Sequence, residues 1–131
     1  VFYRFLCLYK VLEGIYLHVR PAFFRDAASK GVNIQSQKEY FPHHEELKYS
    51  HQDVIGRPIK EVFDNRFTPM FRNEVAHYVL ETGDVLNVSE PNTQDRFGGE
   101  LLAIEQCARV VIDTQEAYFS QFKAQLSQGG E

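Results

Sequence analysis

Apolar residues in this chain recur every third or fourth position through most of its length. No stretch alternates apolar and polar residues at period two over more than four residues. A chain built this way has helical faces to bury and no sheet face to receive them. It must pack helix on helix, so the sequence predicts an all-α fold, an up-and-down helical bundle of roughly four to five helices.

The first helix is read over 2–28, on a face of Phe5, Leu8, Leu12, Ile15, Val19 and Phe23, with Pro21 kinking or dividing it and Gly31 stopping it. Residues 31–54 are polar and are read as a surface connection ordered only in part, with a short helix from Glu45 to Tyr49. Ile59, Val62, Phe63 and Phe67 predict a short helix over about 57–66, with Pro58 in its first turn. Thr68 and Pro69 read as the cap and first residue of a separate helix over 68–81, striped by Phe71, Val75, Tyr78 and Val79. Residues 84–98 read as a loop. Gly99 to Leu126 reads as the longest helix, and Gln115 is the one polar member of its stripe.

Composition narrows the function classes. With 131 residues and 44% hydrophobic, the chain suits one domain with a sizeable core, and full disorder is excluded. The net charge of −4 excludes a uniformly basic nucleic-acid coat. The charge is uneven, however. Residues 1–30 carry five basic and two acidic groups, net +3, which leaves nine and sixteen, net −7, in the remainder. The first segment is the better face for an anionic partner. No apolar run approaches the ~20 residues of a membrane-spanning helix, so no membrane partner is expected. Cys7 and Cys107 lie in helical patterns, outside any metal spacing, and read as small buried thiols. This makes the reducing cytoplasm the default compartment. A start at Val1, directly in helical pattern and with no signal peptide in view, reads as a trimmed piece or end domain of a longer protein.

Chemistry concentrates in Phe71-Arg72-Asn73-Glu74-Val75-Ala76-His77. On a helix, Asn73 and His77 stand about 40° apart and Arg72 about 140° from His77, within reach of a long side chain. One turn can thus offer a guanidinium, an amide and an imidazole. Arginine pairs bidentately with phosphate, and histidine exchanges a proton near neutrality. RNA cleavage without metal needs a base for the 2′-OH, a cation for the phosphorane charge and an acid for the leaving 5′-oxygen. One His cannot easily perform both proton transfers, but two copies across a two-fold axis can.

Arg72, Asn73 and His77 match the R-[N/D/H]-x-x-x-H motif, and in this the chain resembles the HEPN superfamily of small helical domains. The resemblance implies a homodimer with two motifs at one cleft. It also implies a metal-independent endoribonuclease leaving 2′,3′-cyclic phosphate ends, in a toxin or antiviral-defence setting, with no cofactor and no metal. Arg72 would hold the scissile phosphate, His77 would act as base or acid, and Asn73 would orient either. The alternative is a HEPN-like module that has lost activity and serves dimerisation or partner binding, with a fused or partner sensor domain. Tyr78 follows His77 directly, one position early for the His-x-Tyr of one toxin subgroup, and is assigned to the core stripe. Leu8 to Ile15, together with Arg72-Asn73-x-x-Ala76-His77, is also similar to the MauJ-like methylamine-utilisation group, which brings no defined activity.

Glu13, a polar residue in an apolar helix, is the candidate to support Arg72 or His77 through a carboxylate bond. Lys10, Arg20 and Arg25 are candidates for an RNA approach. His43, His44, Glu45, Glu46 and His51 supply metal-ligand types without a metal-site spacing, and no metal is assigned to them.

Overall fold

The computed structural model describes residues 2–73 and 91–129, and over them the fold is all-α. Helix α1 (Phe2–Gly14) runs through a π-helical turn (Ile15–Val19) into α2 (Arg20–Ser29). A short α3 (Glu45–Ser50) and a 3₁₀ turn (Gln52–Val54) follow. Helix α4 (Ile59–Val62) passes through a second π turn (Phe63–Phe67) into α5, described over 68–73, and α6 is Pro91–Gly129.

Aromatic contacts set the helix directions. Phe5 meets Phe67, Tyr9 stacks on Phe63 and Phe71, and Tyr16 meets Phe63, so α4–α5 runs antiparallel to α1. Arg4 pairs with Glu105, Arg20 bonds Gln115, and Phe23 meets Phe122, so α6 runs parallel to α1–α2. The main core lies between these three units and includes Phe5, Tyr9, Leu12, Val62, Phe67, Ile104 and Val111. A smaller cluster of Phe23, Ala27, Val32, Ile34 and Tyr118 closes the far end.

Several expectations change at the prolines. Proline lacks the N–H that an α-helix needs, and its ring crowds the carbonyl four residues back. Pro21 does not divide the first helix. The wider π turn just before it keeps the backbone helical, with Gly14 and Arg20 both in helical geometry. Pro69 is handled in the same way. Thr68 is helical rather than an N-cap, and its N–H bonds the Phe63 carbonyl, so α4 and α5 are continuous. Each proline stands two residues past the last residue of a π turn. The buried face of the first helix also differs from the one expected. Tyr9 lies in the core while Leu8 is only partly buried against it, and Val19 is exposed.

The connection after α2 is fixed, in contrast to the loose surface segment expected there. Gly31 has φ of +71° and closes a Schellman motif, with Val32 N–H to Ala27 O at 2.9 Å and Gly31 N–H to Ala28 O at 3.1 Å. Val32, Ile34 and Phe41 are buried. Phe41 N–H donates to Arg57 O and Ile59 N–H to Glu39 O, around an isolated antiparallel bridge from Tyr40 to Pro58. Pro58 accordingly sits at the N-cap in extended geometry, one position before the helix.

The last helix is described from Pro91, so 91–98, expected as loop, are helical and Gly98-Gly99 lies inside the helix. A Gly costs an exposed helix about 1 kcal/mol, a penalty that neighbouring helix and tertiary packing can override. Cys107 is buried as expected, whereas Cys7 is exposed. No described helix is long and apolar enough to cross a membrane.

Candidate functional site

Residues 68–73 are held against α1 by the aromatic stack. Tyr9 lies 4.3 Å from Phe71 and 5.2 Å from Phe63 between ring centroids, and its hydroxyl donates to Thr68 Oγ1 at 3.2 Å. Phe71 is thereby anchored inward, and its chain neighbours Arg72 and Asn73 are both exposed. Among the described residues Arg72 has no ion-pair partner. It borders a cavity of about 120 Å³, shared with Glu13, Tyr16, Leu17, Lys60 and Asp64 and lying between the two π turns. His77 lies outside the described residues.

Glu13 shares this cavity with Arg72 but bonds elsewhere. Its carboxylate takes the Lys10 ammonium at 3.2 Å. Lys10 Nζ also sits 5.0 Å from the Phe71 ring centroid. Lys60 pairs with Asp64 at 2.6 Å and lies over the Tyr16 and Phe63 rings. Lys60 and Arg72 thus line the cavity with Glu13 and Asp64, and each of these two carboxylates is paired with a lysine, Lys10 and Lys60. The other two approach candidates are placed elsewhere. Arg25 is exposed on α2 and donates to Pro21 O at 3.3 Å.

Arg20 borders a cleft, but its donors are engaged inside the bundle rather than offered to an RNA approach. Nη1 and Nη2 grip the two Glu39 oxygens at 2.6 and 2.7 Å, Nε donates to Gln115 Oε1 at 3.1 Å, and Nη2 donates to Val111 O at 3.1 Å. Its side chain and that of Glu39 are only 12% and 7% exposed. Burial opposes the Arg20 charge, but the hydrogen bonds and charge of Glu39 outweigh it and hold the guanidinium above its ordinary value. Tyr16 and Tyr118 each present a ring to the guanidinium, at 5.3 and 5.5 Å. Burial, then Glu39, pushes the Tyr16 hydroxyl up, and that hydroxyl and Gln115 Nε2 have no hydrogen-bond partner among the described residues.

Sequence reasoning did not foresee this network. Gln115, a lone amide on an apolar stripe, was the available signal, since a buried amide requires a polar partner. Above Arg20 and Glu39 opens a wider cleft of about 440 Å³, bordered also by Tyr16, Tyr40, Pro58 and Lys60.

Two of the histidines have local partners. His44 Nδ1 accepts from Glu46 N–H at 3.2 Å and caps α3. His51 is buried, with Nδ1 2.8 Å from Ser50 Oγ and Nε2 3.6 Å from Glu100. Arg66 holds Glu100 with two bonds at 2.6 and 2.7 Å and reaches Asp53 at 2.9 Å, tying the 3₁₀ turn to α6.

Neither a curated protein nor a solved structure matches this chain. Residues 1–113 match a family model, a span that takes in the first helix, both π turns, Arg72 and the Arg20–Glu39 pair. On that match the chain belongs to the family described as methylamine utilization protein MauJ.

Proposed function

We propose that this chain is a metal-independent endoribonuclease of HEPN type, acting as a symmetric dimer. The observation that carries the reading is Arg72, exposed at a groove and without an ion-pair partner among the described residues, next to Glu13. A guanidinium in that condition is free to take a phosphodiester. His77, five residues on, supplies the proton chemistry. One His removes the proton of the ribose 2′-OH as O2′ attacks phosphorus. The P–O5′ bond breaks, and the His of the second copy protonates the departing O5′. The products carry a 2′,3′-cyclic phosphate and a free 5′-OH. Arg72 stabilises the charge that builds on the phosphorane oxygens, and Asn73 orients His77 or the phosphate.

Glu13 supports the site through Lys10, holding an ammonium beside the phosphate path. The family description names a process, methylamine utilization, and not a reaction. A part in that process would run through the RNA that is cut.

The test is cleavage of end-labelled single-stranded RNA by the purified chain. Arg72→Ala and His77→Ala are each expected to lose about 10²-fold or more in rate, with helicity and melting unchanged. Full cleavage by the double variant would overturn the assignment.

A second reading rests on Leu17, which is 63% exposed and borders the same cavity as Arg72. An exposed leucine beside an open cation suits a docking surface for a second copy or a partner domain. In that case Leu17→Asp disrupts self-association, and the wild-type chain does not cleave RNA.

A further inference from the structure

We infer that the cleft over the Arg20–Glu39 pair, which shares Tyr16 and Lys60 with the cavity at Arg72, is a binding site for a small aromatic anion. Its volume, about 440 Å³, falls in the range of sites that enclose small organic molecules. Tyr40 is 47% exposed and offers a ring to stack on, and Pro58 offers a flat apolar wall beside it. This wall is built in advance of any ligand. The Tyr40–Pro58 bridge and the Phe41 N–H to Arg57 O and Ile59 N–H to Glu39 O bonds, at 3.0 and 2.9 Å, fix the two strands of chain that carry it.

Charge selects the ligand. Glu39 is covered by both terminal nitrogens of Arg20, so the floor carries a closed, neutral pair. What remains at the rim is Lys38 and Lys60. Lys38 has no ion-pair partner among the described residues. Lys60 pairs with Asp64, but both side chains are about half exposed, at 55% and 50%, and such surface pairs yield readily to a better anion. A flat ring with a carboxylate or sulfonate meets the apolar wall with one end and the two ammonium groups with the other. A neutral ring forgoes the lysines, and a small aliphatic anion forgoes the wall.

The test is calorimetric titration of the intact chain with 2-naphthoate, 2-naphthol and acetate at neutral pH. Naphthoate is expected to bind saturably and about tenfold or more tighter than naphthol, with acetate not binding. Lys38→Ala combined with Lys60→Ala is expected to remove that advantage and leave naphthol unchanged. Tyr40→Ala is expected to weaken both aromatic probes, with Tyr40→Phe restoring them. The inference is overturned if naphthoate does not saturate, if naphthol binds as tightly, or if binding survives all these substitutions. Cleavage of RNA is a separate readout, so failure here leaves the proposed activity standing, and the reverse holds too.

Discussion

Arg20 shows how burial converts a surface-type residue into a structural one. Read along the sequence, it is one of five basic groups in the first 30 residues, with nothing to separate it from Arg25. In the fold its guanidinium makes four hydrogen bonds, to Glu39, Gln115 and the Val111 carbonyl, and its partner Glu39 stands nineteen residues away across a segment that looked like a loose connection. Long-range pairing of this kind leaves no local period in a sequence. Removing either partner strands a buried charge, so Arg20→Ala or Glu39→Ala is expected to cost about 3–5 kcal/mol in urea unfolding. A combined Arg20→Met, Glu39→Leu variant should be more stable than either single one. A second expectation concerns alkaline pH. Burial, then Glu39, lifts the Cys107 thiol and the Tyr16 hydroxyl above their ordinary values of 9.0 and 10.0. Above those values the unfolded chain releases protons that the folded chain keeps. Stability is therefore full below about pH 9 and falls as pH rises beyond it. Unfolding midpoints between about pH 8 and about pH 10.5 measure this fall, which Cys107→Ala and Tyr16→Phe should each flatten.

Helix α1–α2 was legible as one helix with a kink or break left open at Pro21, whereas α4–α5 was read as two separate helices. Their inward residues step by four twice in succession, Leu12–Tyr16–Arg20 and Phe63–Phe67–Phe71. Over eight residues an ideal α-helix drifts by about 80° from its starting face. A wider turn recovers that drift, and the proline that follows no longer faces an α-helical carbonyl. Reading Pro21 and Thr68-Pro69 by ordinary helix rules misses the device, because those rules assume one helical pitch. The Gly31 stop, by contrast, was correctly read, since a residue at φ of +71° has a local signature. Nothing lies within 4 Å of a Cβ built there, so Gly31→Ala meets only backbone strain. It is expected to cost about 1–2 kcal/mol by chemical denaturation.

The all-α class followed from the absence of any sheet-like alternation, and it is what the described residues show. The partnership of Arg72 with Glu13 was legible only as proximity: the two share a cavity, but the carboxylate turns to Lys10. A helical-wheel argument places residues on faces and cannot rank competing cations one turn apart. For the proposed two-copy site, the rate per chain should fall when the protein is diluted below its dimer dissociation constant, while helicity stays constant. Sedimentation and initial rates over the same dilution series would check this, and a rate per chain independent of concentration would count against a shared site. The chain has seven tyrosines and no tryptophan, so its near-ultraviolet optical activity comes mainly from the phenols, with phenylalanine a weaker contributor. Tyr9, with an interplanar angle of 11° to both Phe63 and Phe71, is held in an asymmetric stack that should dominate that band. Loosening of the interior would dim this circular dichroism while the amide signal persists, giving the molecule a built-in reporter that distinguishes a molten bundle from a native one.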